Sequence, residues 1–210
     1  EYFDFIPFCP EVAIGLSTPR PPIRLVDDGE SVRVLGTEDS SLDYTDKLSG
    51  YGDRVSGSMD DYCGYIVKKD SPSCGMERVK IYQGKKEAPP VRRGSGAYTA
   101  ALMASRPELP VEEEGRLMDP GLRENFVIRV FTLFRWRCMV KEGLTPGSLV
   151  EFHTRHKFLI QAHHEATYRQ LGPMVARAGS EDLDALAPEY LVCLMQGLRH
   201  VTTPGKQANV

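Results

Sequence analysis

The sequence predicts an α/β unit followed by an all-α helical unit, and three observations carry that prediction. Up to residue 118, short apolar runs bounded by glycine alternate with stretches that can wind into helices. From Asp119 onward, apolar residues recur at the spacing of an amphipathic helix. Glycine, proline, serine and aspartate are concentrated in the first part, where strands and turns need them. Strands separated by helices are expected to form a sheet that is mostly parallel.

The elements follow in order. Ser31–Leu35 reads as a strand between Gly29 and Gly36. Residues 44–60 carry a helix weakened by Gly50, Gly52 and Gly57. Tyr62–Val67 reads as a buried strand running into a turn, and Val79–Tyr82 as another strand. Gly96–Ser105 is small and alanine-rich and reads as a helix after the Gly94-Ser95-Gly96 turn. Asp119 caps a further helix with Pro120 in its first turn, and Phe126, Val127, Val130, Phe131 and Phe134 form its apolar pattern. Thr145-Pro146 starts a long helix over roughly Gly147–Gln170, stopped by Gly172-Pro173. A last helix begins near Pro188 and carries Tyr190, Leu191, Leu194 and Leu198. These readings divide the chain into an α/β unit over 1–118, a connecting helix over 119–144 and a helical unit over 145–210.

With 210 residues, 41% of them hydrophobic, the chain can bury a substantial core. No apolar run reaches the ~20 residues of a membrane-spanning helix, and Glu1-Tyr2-Phe3-Asp4 does not open a signal peptide. Five scattered cysteines (Cys9, Cys63, Cys74, Cys138, Cys193) argue against a disulfide scaffold and for a reducing, cytoplasmic setting. The net charge of −3 excludes a uniformly basic nucleic-acid coat. Residues 123–177, however, hold nine Lys or Arg against four Asp or Glu, and four of the five histidines. That basic stretch is either a solvated helix face or a nucleic-acid footprint. The chain starts without methionine and ends at Val210 without a stop signal, so truncation is expected at both ends.

Three groups of residues can do chemistry. Cys9-Pro10-Glu11 places a thiol and a carboxylate two residues apart, and Arg20 follows in the stiff Thr18-Pro19-Arg20-Pro21-Pro22 loop. Ser71-Pro72-Ser73-Cys74-Gly75 presents two hydroxyls and a thiol in a turn, with Lys68 and Lys69 just before it. Each group also fits a plainer role, a buried cysteine in one case and an ordinary Ser-Pro turn in the other. The α/β half contains no histidine, which excludes a Ser-His or Cys-His hydrolase built inside it. Two thiols without histidine suit a thiolate-bound metal or iron–sulfur cluster, whose further ligand must come from elsewhere. Cys63, Cys138 and Cys193 read as packing residues. In the third group, His153, His156 and His163 share a helix face. Zinc binding, packing or capping, and RNA contact all remain open for it; Trp136 suits a core and Tyr168 a stacking role.

The Cys9-Pro10-Glu11 and Ser71–Gly75 motifs, with Ile81-Tyr82-x-Gly84 and Gly94-Ser95-Gly96 after them, resemble the thiouracil desulfidase (TudS) family. Phe152-His153-Thr154-Arg155-His156-Lys157 resembles the YbgA-type domain often fused behind it, as in the tRNA 4-thiouridine desulfidases. The resemblance implies a Rossmann-like α/β catalytic domain and a [4Fe-4S] cluster on three cysteines with one iron open. Cys9 and Cys74 match two of the ligands. The third belongs to a Ser-Cys-Leu-Leu-Gly type segment expected upstream of Glu1. The implied reaction is the non-redox hydrolysis of 4-thiouridine in tRNA to uridine, with the sulfur captured on the open iron. Glu11 would activate water, and Ser71, with Ser73 as second choice, would hydrogen-bond the base or an intermediate. Arg20 and Lys68 would hold phosphate or the base edge. Arg155, His156, Lys157 and Arg169 would contact the RNA. The expected partner is thiolated tRNA, with neither DNA nor a membrane. The alternatives are a desulfidase of free 4-thiouracil and a non-enzymatic RNA- or partner-binding protein.

Overall fold

The computed structural model describes residues 2–83, 89–203 and 205–206; Gly84 lies outside them. The chain separates into two compact units. One comprises Glu1–Asp61, Ile66–Arg106 and Glu113–Gly115, and the other Tyr62–Tyr65, Pro107–Glu112 and Arg116–Val210.

In the first unit, a short helix α1 (Pro10–Ala13) leads by a loop to β1 (Ile23–Asp27), β2 (Val32–Gly36) and helix α2 (Thr45–Ser56). After β3 (Tyr65–Val67), strands β4 (Val79–Gln83) and β5 (Val91–Gly94) follow, then α3 (Ala97–Ser105) and β6 (Val111–Glu113); of β3 only Ile66 and Val67, and of β6 only Glu113, fall in this unit. The main sheet has the order β2-β1-β4-β5. Its β1–β4 pairing is parallel, with Leu25 opposite Ile81. The β1–β2 and β4–β5 pairings are antiparallel. The expectation of a mostly parallel sheet is therefore corrected to a mixed one. The Gly29 turn folds β1 straight back as a hairpin, and a hairpin cannot be parallel. Strand β1 itself is absent from the sequence reading, because Ile23-Arg24-Leu25-Val26-Asp27 is too short a run beside two prolines to announce a strand. β5 and β6, of four and three residues, escaped for the same reason.

Leu25, Val34, Leu48, Val79, Ile81, Tyr98 and Leu102 are buried and form the core of this unit. Gly52 on α2 lets backbones meet where a side chain would not fit. A Cβ on Gly52 would sit 2.6 Å from Tyr98 O and 2.9 Å from Ala101 Cβ, so α2 packs against the first turns of α3 through that gap.

The second unit is helical. A 3-10 turn (Arg116–Met118) precedes α4 (Pro120–Gly143), α5 (Pro146–His163), α6 (Glu165–Ala176) and α7 (Leu183–Gly197). Asp119 caps α4 by accepting from Leu122 N. Thr145 and Ser148 form a reciprocal capping box at α5. The long helix expected over Gly147–Gln170 is two helices. His164 adopts an extended backbone, and its side chain accepts from Thr167 N to start α6. Gly172-Pro173 is not the stop: Pro173 lies inside α6, and Pro188 lies inside α7 rather than at its start. Packing of Leu171, Val175, Leu186, Tyr190 and Leu194 holds the helical backbone at both prolines, since tertiary burial outweighs local propensity. The strand expected at Tyr62–Val67 shortens to β3, and Cys63 stands in a bend, half-buried. Trp136 is buried at the centre of this unit, edge-on to Phe152 (5.2 Å) and stacked on Tyr190 (5.5 Å). Phe134, expected in the core, is 51% exposed. Among the described residues no helix is long and apolar enough to cross a membrane.

Two outcomes test these packing arguments. Gly52→Ala lowers stability by about 1–3 kcal/mol, because the added methyl has to displace backbone. Trp136→Ala lowers it by about 3–5 kcal/mol through the cavity it opens. Urea denaturation followed by circular dichroism reads both, and unchanged midpoints would contradict the packing described.

Candidate functional site

The site grows from two turns far apart in sequence. Cys9 is the extended N-cap residue of α1, and Pro10 fills the first helical position, where no N–H is needed. Pro10 is buried, which fixes the start of α1 and presents Glu11 in its first turn. The second turn follows β3. Asp70 takes a left-handed backbone (φ 58°), a conformation that Asp tolerates better than most side chains. Gly75 N then closes the turn on Ser71 O at 2.8 Å, and Ser71 Oγ accepts from Cys74 N at 3.1 Å.

This turn is docked on α3. The first turn of α3 has no side-chain cap, and its orphan N–H groups need acceptors. They find the turn's carbonyls: Gly96 N donates to Gly75 O (2.7 Å), Ala97 N to Pro72 O (3.1 Å) and Tyr98 N to Ser73 O (3.1 Å). Thr99 Oγ1 donates to Cys74 O at 2.7 Å. A Cβ on Gly96 would fall 2.4 Å from Ser73 C and 2.5 Å from Cys74 N, so the approach requires glycine. The buried Glu113 carboxylate accepts from Met76 N at 3.0 Å and pins the chain just after the turn. Neither Thr99 nor Glu113 was found by sequence reading; an Ala-rich helix and an acidic run gave no signal for them.

The two turns meet at Glu11. Ser73 is fully buried, and its hydroxyl donates to Glu11 Oε1. The other oxygen, Oε2, is paired with Arg20 Nε. Since Ser73 gives its proton to Glu11, Ser71 Oγ donates to Ser73 Oγ across 2.9 Å. A proton path thus runs Ser71 to Ser73 to Glu11. Cys74 Sγ lies 3.4 Å from Ser73 Oγ. Burial pushes the Cys74 thiol above the ordinary thiol range. The negative charges of Glu11 and Cys9 add to this, and the polar Ser73 and Ser71 hydroxyls beside Sγ oppose it. Cys9 and Cys74 are both free, half-buried thiols close enough to feel each other's charge.

The Cys74 thiol resists ionisation until a cation joins it, and a coordinated metal deprotonates its thiols outright. Soft thiolate donors of this kind suit iron or an iron–sulfur cluster. Among the described residues no group of three His, Cys, Asp or Glu is arranged to hold a metal ion, so the third ligand is not found there.

Not every expected residue comes to this site. The Lys68 ammonium is paired with Glu114 at 2.7 Å. In the helical unit, His156 is buried, stacks on Phe152 at 4.1 Å and donates from Nδ1 to Phe152 O. His153 Nδ1 lies 3.0 Å from Tyr190 Oη, and His163 Nδ1 donates to His200 O at 2.7 Å. Burial lowers the pKa of all three. They are spent on separate partners rather than gathered for zinc. Arg155 and Arg169 are exposed but paired with Glu151 and Glu165 one turn away. Lys157 lies against the Phe158 ring at 5.0 Å.

Comparison with known proteins covers both units. Residues 157–210 match DUF1722, a family of unknown function. Over 88 residues the chain is 33% identical to the uncharacterized protein YbgA of Escherichia coli (strain K12), an alignment that takes in 41% of this chain and 52% of that protein. The chain thus spans about half the length of this curated relative. A solved structure titled [4Fe-4S]-dependent thiouracil desulfidase TudS is 34% identical, covering 53% of this chain and 68% of its own, with a TM-score of 0.40. Residues 1–114 match the family described as 2-thiouracil desulfurase. That segment contains both turns and every side chain that meets at Glu11, and it is more than half of the 210 residues: the chain belongs to the 2-thiouracil desulfurase family.

Proposed function

We propose that the α/β unit hydrolyses a thiocarbonyl of the thiouracil class, and that Cys9, Cys74 and a third cysteine hold a [4Fe-4S] cluster beside Glu11. The observation that carries this reading is the Ser71–Ser73–Glu11 proton path ending next to two thiols. When bound, the cluster would supply a soft Lewis acid suited to the thiocarbonyl sulfur.

The protein's own groups do the rest. Glu11 takes a proton from the water that adds to C4. Arg20, on the far carboxylate oxygen, keeps the carboxylate turned so that Oε1 faces Ser73. The serine path returns a proton as the C4–S bond breaks. Thiocarbonyl and water become carbonyl and hydrogen sulfide, and no electrons are exchanged. Ser71 is the hydroxyl placed to hydrogen-bond the base or an intermediate, while Ser73 is committed to Glu11.

As the substrate we propose 4-thiouridine in cytoplasmic tRNA, gripped through Arg155, Lys157 and Arg169 with the base turned out of its stack; Arg20 would meet the base edge or phosphate. Lys68 and His156 carry less of this reading, because one is paired with Glu114 and the other is buried. Free 4-thiouracil is the second reading. It is favoured by the glutamates that pair with Arg155 and Arg169, which remove net charge from that face.

Sulfide release under anaerobic conditions tests the reaction. Glu11→Gln slows it by about 10²–10⁴-fold while iron content stays at the wild-type level; a wild-type rate would overturn the assignment of Glu11. Replacing Arg155, Lys157 and Arg169 together with Ala separates the substrates. Loss on thiolated tRNA with unchanged rates on the free base supports tRNA, and equal rates on both support the free base.

A further inference from the structure

Three histidines meet where α5, α6 and α7 come together. His164 stands between α5 and α6 with an extended backbone. Its Nδ1 accepts from Thr167 N at 3.3 Å and lies 2.9 Å from Thr167 Oγ1. A backbone N–H can only donate, so Nδ1 carries a lone pair and the ring is neutral. That ring lies flat on His200, with centroids 4.0 Å apart and planes 8° from parallel. His200 follows α7, and its carbonyl accepts from His163 Nδ1 at 2.7 Å. The His163 proton is thus on Nδ1, and its Nε2 is fully buried with no hydrogen-bond partner among the described residues. A proton added there would be a buried charge without an acceptor.

The joint is tightly built around these neutral rings. Thr167 is 5% exposed, and a Cβ on Gly197 would fall 2.5 Å from Thr167 Cγ2, so the start of α6 is wedged against the end of α7. Asn125 Nδ2 of α4 donates to Leu198 O at 2.8 Å and fixes the turn that carries His200. Burial, and then the charges of His164 and Lys206, hold the His200 pKa below the ordinary histidine range. Burial does the same for His163, against the raising effects of its bond to His200 O and of Glu124 on α4. The other charged groups nearby are Glu165 and Arg169, paired with each other on α6, and the exposed Arg199 next to His200. A proton on His164 removes the acceptor for Thr167 N. The Thr167 hydroxyl can turn to accept the new N–H, but the amide stays orphaned. The added charge also stands at the positive end of the α6 dipole. A further proton on His200 sets two cations face to face.

We propose that the His164–His200 stack is an acid-released joint: protonation opens the first turn of α6 and frees the turn after α7, while α5 and the middle of α7 stay folded. The closed joint binds protons less readily than the open one. Its stability is therefore level above the ordinary histidine range and falls as pH drops through that range. The inference does not rest on the desulfidase reading, since every residue in it lies in the second unit.

Amide hydrogen exchange on the full chain tests it, at about pH 7.5 and about pH 5, on either side of the ordinary histidine range, with rates corrected for the intrinsic effect of pH. In the wild-type protein, protection of the amides of residues 167–170 and 198–200 falls by about 5–30-fold at the lower pH, the effect of losing one cap and gaining one unfavourable charge at a helix end. His164→Asn keeps a capping side chain that does not titrate, and its protection is the same at both pH values. His200→Phe alters an exposed residue and keeps a ring against His164 without a second charge. Its loss is smaller than that of the wild type, which keeps the test decisive if His164→Asn fails to fold. The joint is overturned by unchanged protection in the wild type or by an undiminished loss in either variant. It is also overturned by a loss spread evenly over α4 to α7, which is the result of protonating the buried His156 and its neighbour His153 instead.

Discussion

The site depends on the contact between the Ser71–Gly75 turn and the first turn of α3. A helix N-terminus needs acceptors for its free N–H groups, and here three backbone carbonyls of the turn supply them. The bonds run both ways in effect. They finish the helix, and they fix the positions of Ser73 and Cys74. Gly96 is the residue that makes the approach possible, since any side chain would strike the Ser73 carbonyl carbon. With the turn fixed, the buried Ser73 hydroxyl has one place to donate, and Glu11 is brought there from α1. The positive end of α3 is used up on backbone carbonyls, which leaves the electrostatics near Cys74 to Glu11, Arg20 and whatever the thiols bind.

Much of this was readable in the residues. Cys9, Glu11, Arg20, Ser71, Ser73 and Cys74 were singled out from two short motifs, and the structure brings them into one cluster. What the sequence could not show is the partner of each group. Lys68 precedes the thiol turn by three residues, yet it faces Glu114, because side chains of a strand end alternate in direction. Ser71 stood first among the serines, but it is Ser73 that donates to the carboxylate, a pairing across 62 residues that no local pattern encodes. Glu113 and Thr99 hold the turn through backbone atoms, and backbone acceptors carry no signature in a sequence.

The helical unit shows the same division. Caps at Asp119 and Thr145 were legible because Asp-Pro and Thr-Pro are strong local signals. The break at His164 was not: its imidazole acts as the N-cap of α6, a role usually left to Ser, Thr, Asp or Asn. The prolines misled in the opposite direction, since packing overrides them in α6 and α7. The basic stretch that suggested a nucleic-acid face divides among several different roles. Arg155 and Arg169 are in surface pairs, His156 is in the core, and Arg129 is buried with its Nε unpartnered among the described residues.

The central claim is that Cys9 and Cys74, held against Ser73 and Glu11, are two ligands of one iron–sulfur site. Anaerobic reconstitution with iron and sulfide, followed by iron and acid-labile sulfide analysis, tests it most directly. The account predicts that the protein takes up a cluster and that Cys9→Ala and Cys74→Ala each abolish uptake, while Cys138→Ala does not. Full iron and sulfide content in the Cys9→Ala or Cys74→Ala protein would contradict it.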